Sequence, residues 1–518
     1  MQQNVDRMTT MTGCPIADAK NSVTAGPTGP VVYHDTVLME KINQFARERI
    51  PPRNVHALGF GAHGTFTVTN DITKFCSARL FSQVGKKTEV FIRFSGVFTD
   101  PGEPQTIRDL RGFAAKFYSE DGIWDVLTVN TPCFNARDLK VGPDAIHAFK
   151  KDPRTNEWNP TQTWDFIACH PESLHNSLML YTDRIGHPLT FRHQNWFPCN
   201  TFSFINDQKE RFWVRFHFIS EQGWRGMTQE QALKMAGENQ WFYSQDMRES
   251  ILAGKYPRWK LYAQIMREED GYKNPQIAFD PTKVWKHDDF PLQEIGVIEA
   301  NRYSSDYFAE VDQVAFSPAN VPPGISFSPD KLLQGRLMLY DSTQYHRLGA
   351  NFKQIPINCP FRGGAIVNAP IQTSAGPHRA DIKSAAGWPQ YYPSLFGGPK
   401  PDPMLTEPLM RGVGDIGGYA FINEGTDDDY YSQARDFIKI LKQEELTNLI
   451  HNLGTDLAKC DERVVAVVID HFTKIDPEFG TKVSKEITAF TNGEKKTPFA
   501  DLHHEIRQEA TKIWGEDI

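Results

Sequence analysis

The sequence predicts an α+β fold: an antiparallel β-barrel with an extended N-terminal arm, a wrapping loop region and a helical C-terminal segment. Three observations carry that expectation. Between about residues 60 and 300 the apolar pattern has period two, and no strand–helix–strand rhythm interrupts it. After about residue 430 the period changes to 3.6.

In chain order, residues 1–50 are polar and punctuated by Gly26-Pro27-Thr28-Gly29-Pro30. That is the composition of an arm whose apolar contacts must come from another part of an assembly. It ends in a short helical pattern over 38–47. Residues 51–300, the expected barrel, hold strand-like runs at 65–69, 89–94 and 211–218, rich in β-branched and aromatic residues. Residues 301–430 are broken by Asn320-Val321-Pro322-Pro323-Gly324, Gly363-Gly364 and Gly397-Gly398-Pro399, with one helix-like stretch over 329–340. In 431–518 the segments 431–442, 444–453 and 461–474 carry helical spacing.

Composition removes several functions. The chain has 518 residues and a net charge of −8, with no basic run, which argues against a nucleic-acid or anionic-membrane partner. Its longest apolar run, 464–469, falls far short of the ~20 residues of a membrane span. The first twenty residues have no apolar core of a secretory signal. The cysteines (Cys14, Cys76, Cys133, Cys169, Cys199, Cys359 and Cys460) are scattered, and none forms a CxxC pair. Reduced thiols in an intracellular, cytoplasmic protein are expected. Gly59-Phe60-Gly61-Ala62-His63-Gly64 matches the dinucleotide fingerprint, but the required strand before and helix after it are missing, so it is declined.

Two other segments are more specific: 47–57, which contains Pro51-Pro52-Arg53-Asn54-Val55-His56, and 335–349, which contains Gly335-Arg336-Leu337-Met338-Leu339-Tyr340 and Gln344-Tyr345-His346-Arg347-Leu348-Gly349. Arg336 and Tyr340 are spaced i, i+4 and share one face of a helix. A guanidinium beside a phenol favours the phenolate, a hard ligand suited to ferric iron. These segments resemble the haem-binding signatures of the haem-dependent monofunctional catalases, in which Tyr is the axial ligand. The resemblance extends from about residue 15 to beyond 500, through Arg108-Asp109-Leu110-Arg111-Gly112-Phe113, Trp124-Asp125, Asn130-Thr131-Pro132 and Pro171-Glu172-Ser173-Leu174-His175. The animal-type, small-subunit branch fits best.

The resemblance implies haem as cofactor, with Tyr340 as iron ligand and Arg336 holding it ionised. It implies His56 as the distal base, oriented by Ser95, and Arg53, Arg93 and Arg347 as partners of the haem propionates. Val55, Gly112, Phe134 and Phe316 match further haem-lining positions. It also implies a homotetramer with interlocked arms, and hydrogen peroxide as the small-molecule partner.

The departures fall mainly on the distal side. The family's distal asparagine falls on Val129, whose methyl groups donate no hydrogen bond; losing one such donor typically costs ~10²–10³ in rate. Asn130 could replace it only through a one-residue shift that Thr131-Pro132 opposes. Two aromatics fall on Gly142 and Ala145, and a second Phe on Asn135, so the pocket should be wider, wetter or refilled by other side chains. Two propionate-contacting histidines fall on Asn200 and Gln344. An auxiliary NADPH site is matched at His175, Arg184, Asn195, Trp285 and His287 but lost at Met179, Phe197 and Ile219, so NADPH stays an open second cofactor. The expected function is decomposition of hydrogen peroxide to water and oxygen, with strongly reduced turnover. The alternatives are a haem enzyme acting on an organic hydroperoxide and a catalase-fold haem-binding protein with negligible turnover. The family's usual peroxisomal tripeptide is replaced by Trp514-Gly515-Glu516-Asp517-Ile518, which leaves the peroxisome as second choice to the cytoplasm.

Overall fold

The computed structural model describes residues 7–367, 389, 391–412, 428–497 and 499–514. Its centre is one antiparallel sheet of β1 (Gly59–Val68), β2 (Lys87–Gly96), β3 (Arg111–Ser119), β4 (Gly122–Val129), β5 (Phe202–Ile205), β6 (Arg211–Ser220), β7 (Arg258–Arg267), β8 (Gln293–Tyr303) and β9 (Ile325–Ser326). The strand order is β4-β3-β2-β1-β8-β7-β6-β5-β9. The sheet curls until Trp124 of β4 meets Phe216 of β6, ring centroids 5.4 Å apart. Single bridges Val129↔Phe197 and Trp196↔Phe218 lace β4 to β6 across the gap, so the chain between β4 and β5 closes what the sheet leaves open. Phe66, Phe94, Phe113, Trp196, Phe216 and Trp259 fill the interior. Their alternation with outward residues is the period-two signal.

The strand expected at 65–69 begins earlier, at Gly59, so the declined glycine motif lies within β1 rather than in a phosphate-binding turn. Glycine hides the strand pattern there because close neighbours take the side-chain space: a Cβ on Gly64 would lie 2.2 Å from the Glu299 carbonyl oxygen.

A second core joins helices inserted between β4 and β5, Pro160–Cys169 and Leu174–Leu180 among them, to the C-terminal helices. Trp164 Nε1 donates to Asp456 Oδ2 at 3.0 Å across that seam. The C-terminal helices are Ser432–Ile440, Gln443–Leu457, Glu462–Ile475, Pro477–Thr491 and Ala500–Trp514. The last two lie beyond the three expected helical segments, although Asp476 caps the fourth and Pro477 opens it, a standard start signal. The helix expected over 329–340 runs on to Leu348, from Lys331. In the arm, Thr36–Phe45 buries no residue against its own chain. Met8, Met11, Tyr33, Ile42 and Phe45 are exposed there. Residues 515–518, on which the expected compartment rested, lie outside the described residues. Among the described residues no helix is long and apolar enough to cross a membrane.

Candidate active site

Helix Lys331–Leu348 starts at Asp330, whose carboxylate accepts the Leu333 N–H at 3.0 Å. Its i, i+4 spacing brings Arg336 Nη2 to 3.0 Å from the Tyr340 hydroxyl, which it supplies with a charge-assisted hydrogen bond. Arg336 Nη1 donates to Asn200 Oδ1, and Asn200 Nδ2 donates to Asp330 Oδ2 at 2.8 Å. Burial pushes the Asp330 carboxyl up to about 6. Asn200 thus bridges the tyrosine's arginine to Asp330. Asp330 went unnoticed at the sequence level, where its only signal was that of a helix cap.

Arg53, Arg93 and Arg347 gather beside the segment 311–314. Arg53 Nη2 donates to the carbonyls of Val311, Asp312 and Val314, and Arg347 Nη2 to that of Val314 at 2.9 Å. Gln344 Oε1 accepts from Arg347 Nη2 at 2.7 Å, so it too serves an arginine. The nearest carboxylate, Asp312, is 3.9 Å from Arg53. Burial lowers the proton affinity of all three guanidiniums, and for Arg53 and Arg347 mutual repulsion adds to it. Arg93 Nε is buried without a hydrogen-bond partner. A cluster of this kind calls for anionic oxygens, and a dicarboxylate such as haem fits it. Phe316 packs beside it with Phe91, Val311, Val314 and Ile357.

His56 lies on a bend with φ +63°, a left-handed conformation that a non-glycine residue holds only when its surroundings impose it. Its N–H donates to the Val97 carbonyl at 2.8 Å, and its own carbonyl accepts from Arg93 Nη1 at 2.8 Å. Nδ1 lies 3.1 Å from the Gly96 carbonyl oxygen and 2.9 Å from Ser95 Oγ. A carbonyl only accepts, so Nδ1 carries the proton and Nε2 is left with its lone pair. Burial first, then the Arg93 charge, lower the imidazole pKa to about 3. A Cβ on Gly112 would lie 2.6 Å from His56 Nδ1, so glycine there makes room for the ring.

Val129 pairs with Gly112 across the β3–β4 ladder. Directly opposed residues face the same side of a sheet, so the Val129 isopropyl points to the side where Gly112 admits the imidazole. Asn130 faces the other way. Its Oδ1 accepts the Arg111 N–H, and its Nδ2 donates to the Ile185 carbonyl and Gln194 Oε1, 2.9 Å each. With both amide protons in use, Asn130 is corrected from substitute donor to an internal brace. Val55 and Val129 are half-buried against the second core. Phe134 is half-buried as well, and its N–H donates to the Pro281 carbonyl. A Cβ at Gly142 would lie 3.2 Å from Leu139 Cδ1, and Ala145 is buried.

Of the residues matched to a dinucleotide, Arg184 is paired with Glu445 at 3.3 Å and stacked on Trp224. Asn195 Oδ1 accepts the Ser220 N–H, and Trp285 Nε1 donates to the Ile277 carbonyl. His175 Nδ1 is buried without a partner, and the exposed His287 ring lies 5.6 Å from His217.

Comparison with known proteins places this geometry. Residues 9–398 match the catalase family model, and residues 424–487 match the catalase-related immune-responsive model. The chain is 42% identical over 487 residues to a catalase of Staphylococcus haemolyticus, covering 94% of this chain and 96% of that protein. It is 41% identical over 482 residues to a catalase of the frog Glandirana rugosa, covering 93% and 89%. The structure of catalase A from Saccharomyces cerevisiae superimposes with a TM-score of 0.85 at 34% identity, over 93% of this chain and 99% of that one. The match of fold and sequence over nearly the whole chain means that this protein belongs to the catalase family.

Proposed function

We propose that the chain is a haem-dependent peroxide-decomposing enzyme, turning hydrogen peroxide into water and oxygen, with turnover well below the family norm. The observation that carries the reading is the pairing of an intact base, His56, with an apolar wall, Val129, where a second polar group belongs.

In this reading Tyr340 holds the haem iron, and Arg336 stabilises negative charge on its oxygen. Arg53, Arg93 and Arg347 take the propionates, replacing the backbone carbonyls that now occupy part of their donors. Haem, when bound, supplies an iron that accepts two oxidising equivalents from one peroxide and passes them to a second. The chain's own part is proton movement. His56 Nε2 takes the proton from one peroxide oxygen and returns it to the other, while its Nδ1–H stays on Ser95 Oγ and the Gly96 carbonyl. With its pKa lowered to about 3, the ring is neutral and ready to accept throughout the neutral range. Val129 gives the developing charge no donor, which sets the deficit at ~10²–10³. Leu139 beside Gly142 counts against a pocket enlarged for an organic hydroperoxide. The dinucleotide has no assigned step, since Arg184 and Asn195 are engaged within the chain.

Oxygen evolution by haem-loaded protein, compared with His56→Ala at equal haem content, tests this. A fall of ~10²–10⁴ is expected on losing the base; equal rates would contradict it. The unsupported arm helix further supports a homotetramer, checked by sedimentation: a mass near the 59.0 kDa of one chain would contradict it.

A further inference from the structure

Asp109 has no part in the reaction as derived above, yet it is 3% exposed and its carboxylate collects more donors than any other near the site. Oδ2 accepts the N–H groups of Val97 at 2.8 Å and Thr99 at 3.1 Å, and the Thr99 hydroxyl at 2.5 Å. The Phe98 N–H reaches both oxygens, at 3.1 and 3.0 Å. The Arg111 guanidinium, 3.8 Å away, is its counter-charge. Gly96 leaves room for it, since a Cβ there would lie 2.7 Å from Oδ2.

Two of the peptide planes it grips are the planes that hold His56. In the Gly96–Val97 peptide the N–H goes to Asp109 and the carbonyl faces His56 Nδ1. In the Val97–Phe98 peptide the N–H goes to Asp109 and the carbonyl takes the His56 main-chain N–H. We infer that Asp109 is a positioning residue for the distal histidine, acting through these two peptides to set both the orientation and the tautomer of the imidazole. A charged acceptor on a peptide N–H polarises that peptide and makes its carbonyl a better acceptor. The Gly96 carbonyl therefore holds the proton on Nδ1 more firmly, and Nε2 keeps the lone pair that a base needs. The same grip fixes the turn that imposes the left-handed backbone at His56. In Asp109→Asn the amide oxygen can keep the Oδ2 position, but it is a neutral and weaker acceptor, and the Oδ1 position becomes a donor facing the Phe98 N–H, so the grip on both planes loosens.

The inference rests on His56 being the base, and the test separates the two. Cyanide binding to ferric haem requires a base to take the proton of hydrogen cyanide, and its association rate is read by stopped flow without any turnover. For full-length, haem-loaded Asp109→Asn, cyanide association and peroxide turnover per haem should fall together, on the order of tenfold. The Soret band and melting temperature should be largely kept, and Asp109→Glu should recover part of the rate. A purely structural carboxylate would lower melting temperature and haem content while leaving the per-haem cyanide rate unchanged; that result overturns the inference. Should Asp109→Asn not fold, Gly96→Ala displaces the same carboxylate, with the same expected fall and the same contradicting result. A cyanide rate that drops in His56→Ala but not in the Asp109 or Gly96 variants overturns this inference alone. No drop in His56→Ala overturns the base assignment and this inference with it.

Discussion

The two faces of the candidate haem site are built differently. On the tyrosine side, four polar side chains form one continuous series, Asp330–Asn200–Arg336–Tyr340, and two of them come from a single helix. On the histidine side, one imbalance dominates: His56 has every hydrogen bond it needs, and the wall beside it at Val129 offers none. In the proposed reading, holding a cofactor and orienting a substrate are separable tasks: the side chains for the first form a continuous hydrogen-bonded series, whereas the second lacks a donor at Val129.

The largest effect expected from breaking this contrast is at Tyr340. Tyr340→Ala removes the phenol that Arg336 contacts and should abolish stoichiometric haem binding and the Soret band, whereas distal substitutions should leave both in place. An unchanged Soret spectrum in Tyr340→Ala would contradict the assignment.

Acid should act with opposite sign on the buried imidazoles and on Asp330. Burial lowers His56 and His217 to about 3 and His175 to about 4, against ~6.5 in the unfolded chain. Between those values the unfolded state binds more protons, so stability present above pH ~6.5 is lost as pH falls. Each pH unit in that window costs about 1.4 kcal/mol per histidine. Asp330, pushed up to about 6, works the other way: its buried charge is relieved as pH falls through 6. Three imidazoles outweigh one carboxylate, so melting temperature should drop steadily from pH 6.5 to 4. A flat profile would mean that these rings are not held neutral.

Legibility in the sequence follows the same division. The Arg336/Tyr340 pair was readable because a helix turns i, i+4 into contact, and β2 and β6 because alternation survives in them. The start of β1 was hidden by glycines whose need arises from strands distant in sequence. The distal site depends on register: that Val129 opposes Gly112, and Gly112 faces His56, is a property of the ladder between β3 and β4, not of local sequence. For the same reason local sequence leaves Asn130 open as a substitute, whereas the fold engages its amide with Ile185 and Gln194. Asp109 and Asp330 show no local pattern beyond a turn and a cap, because their partners come from separate segments.

The central claim, that a missing donor at Val129 limits an otherwise competent site, is tested by oxygen evolution from haem-loaded wild type and Val129→Asn at matched haem content. Wild type should turn over at least ~10²-fold below catalases that carry asparagine at this position, and Val129→Asn should regain on the order of tenfold. Wild-type turnover at the family norm, or no gain in a haem-loaded Val129→Asn, would contradict it.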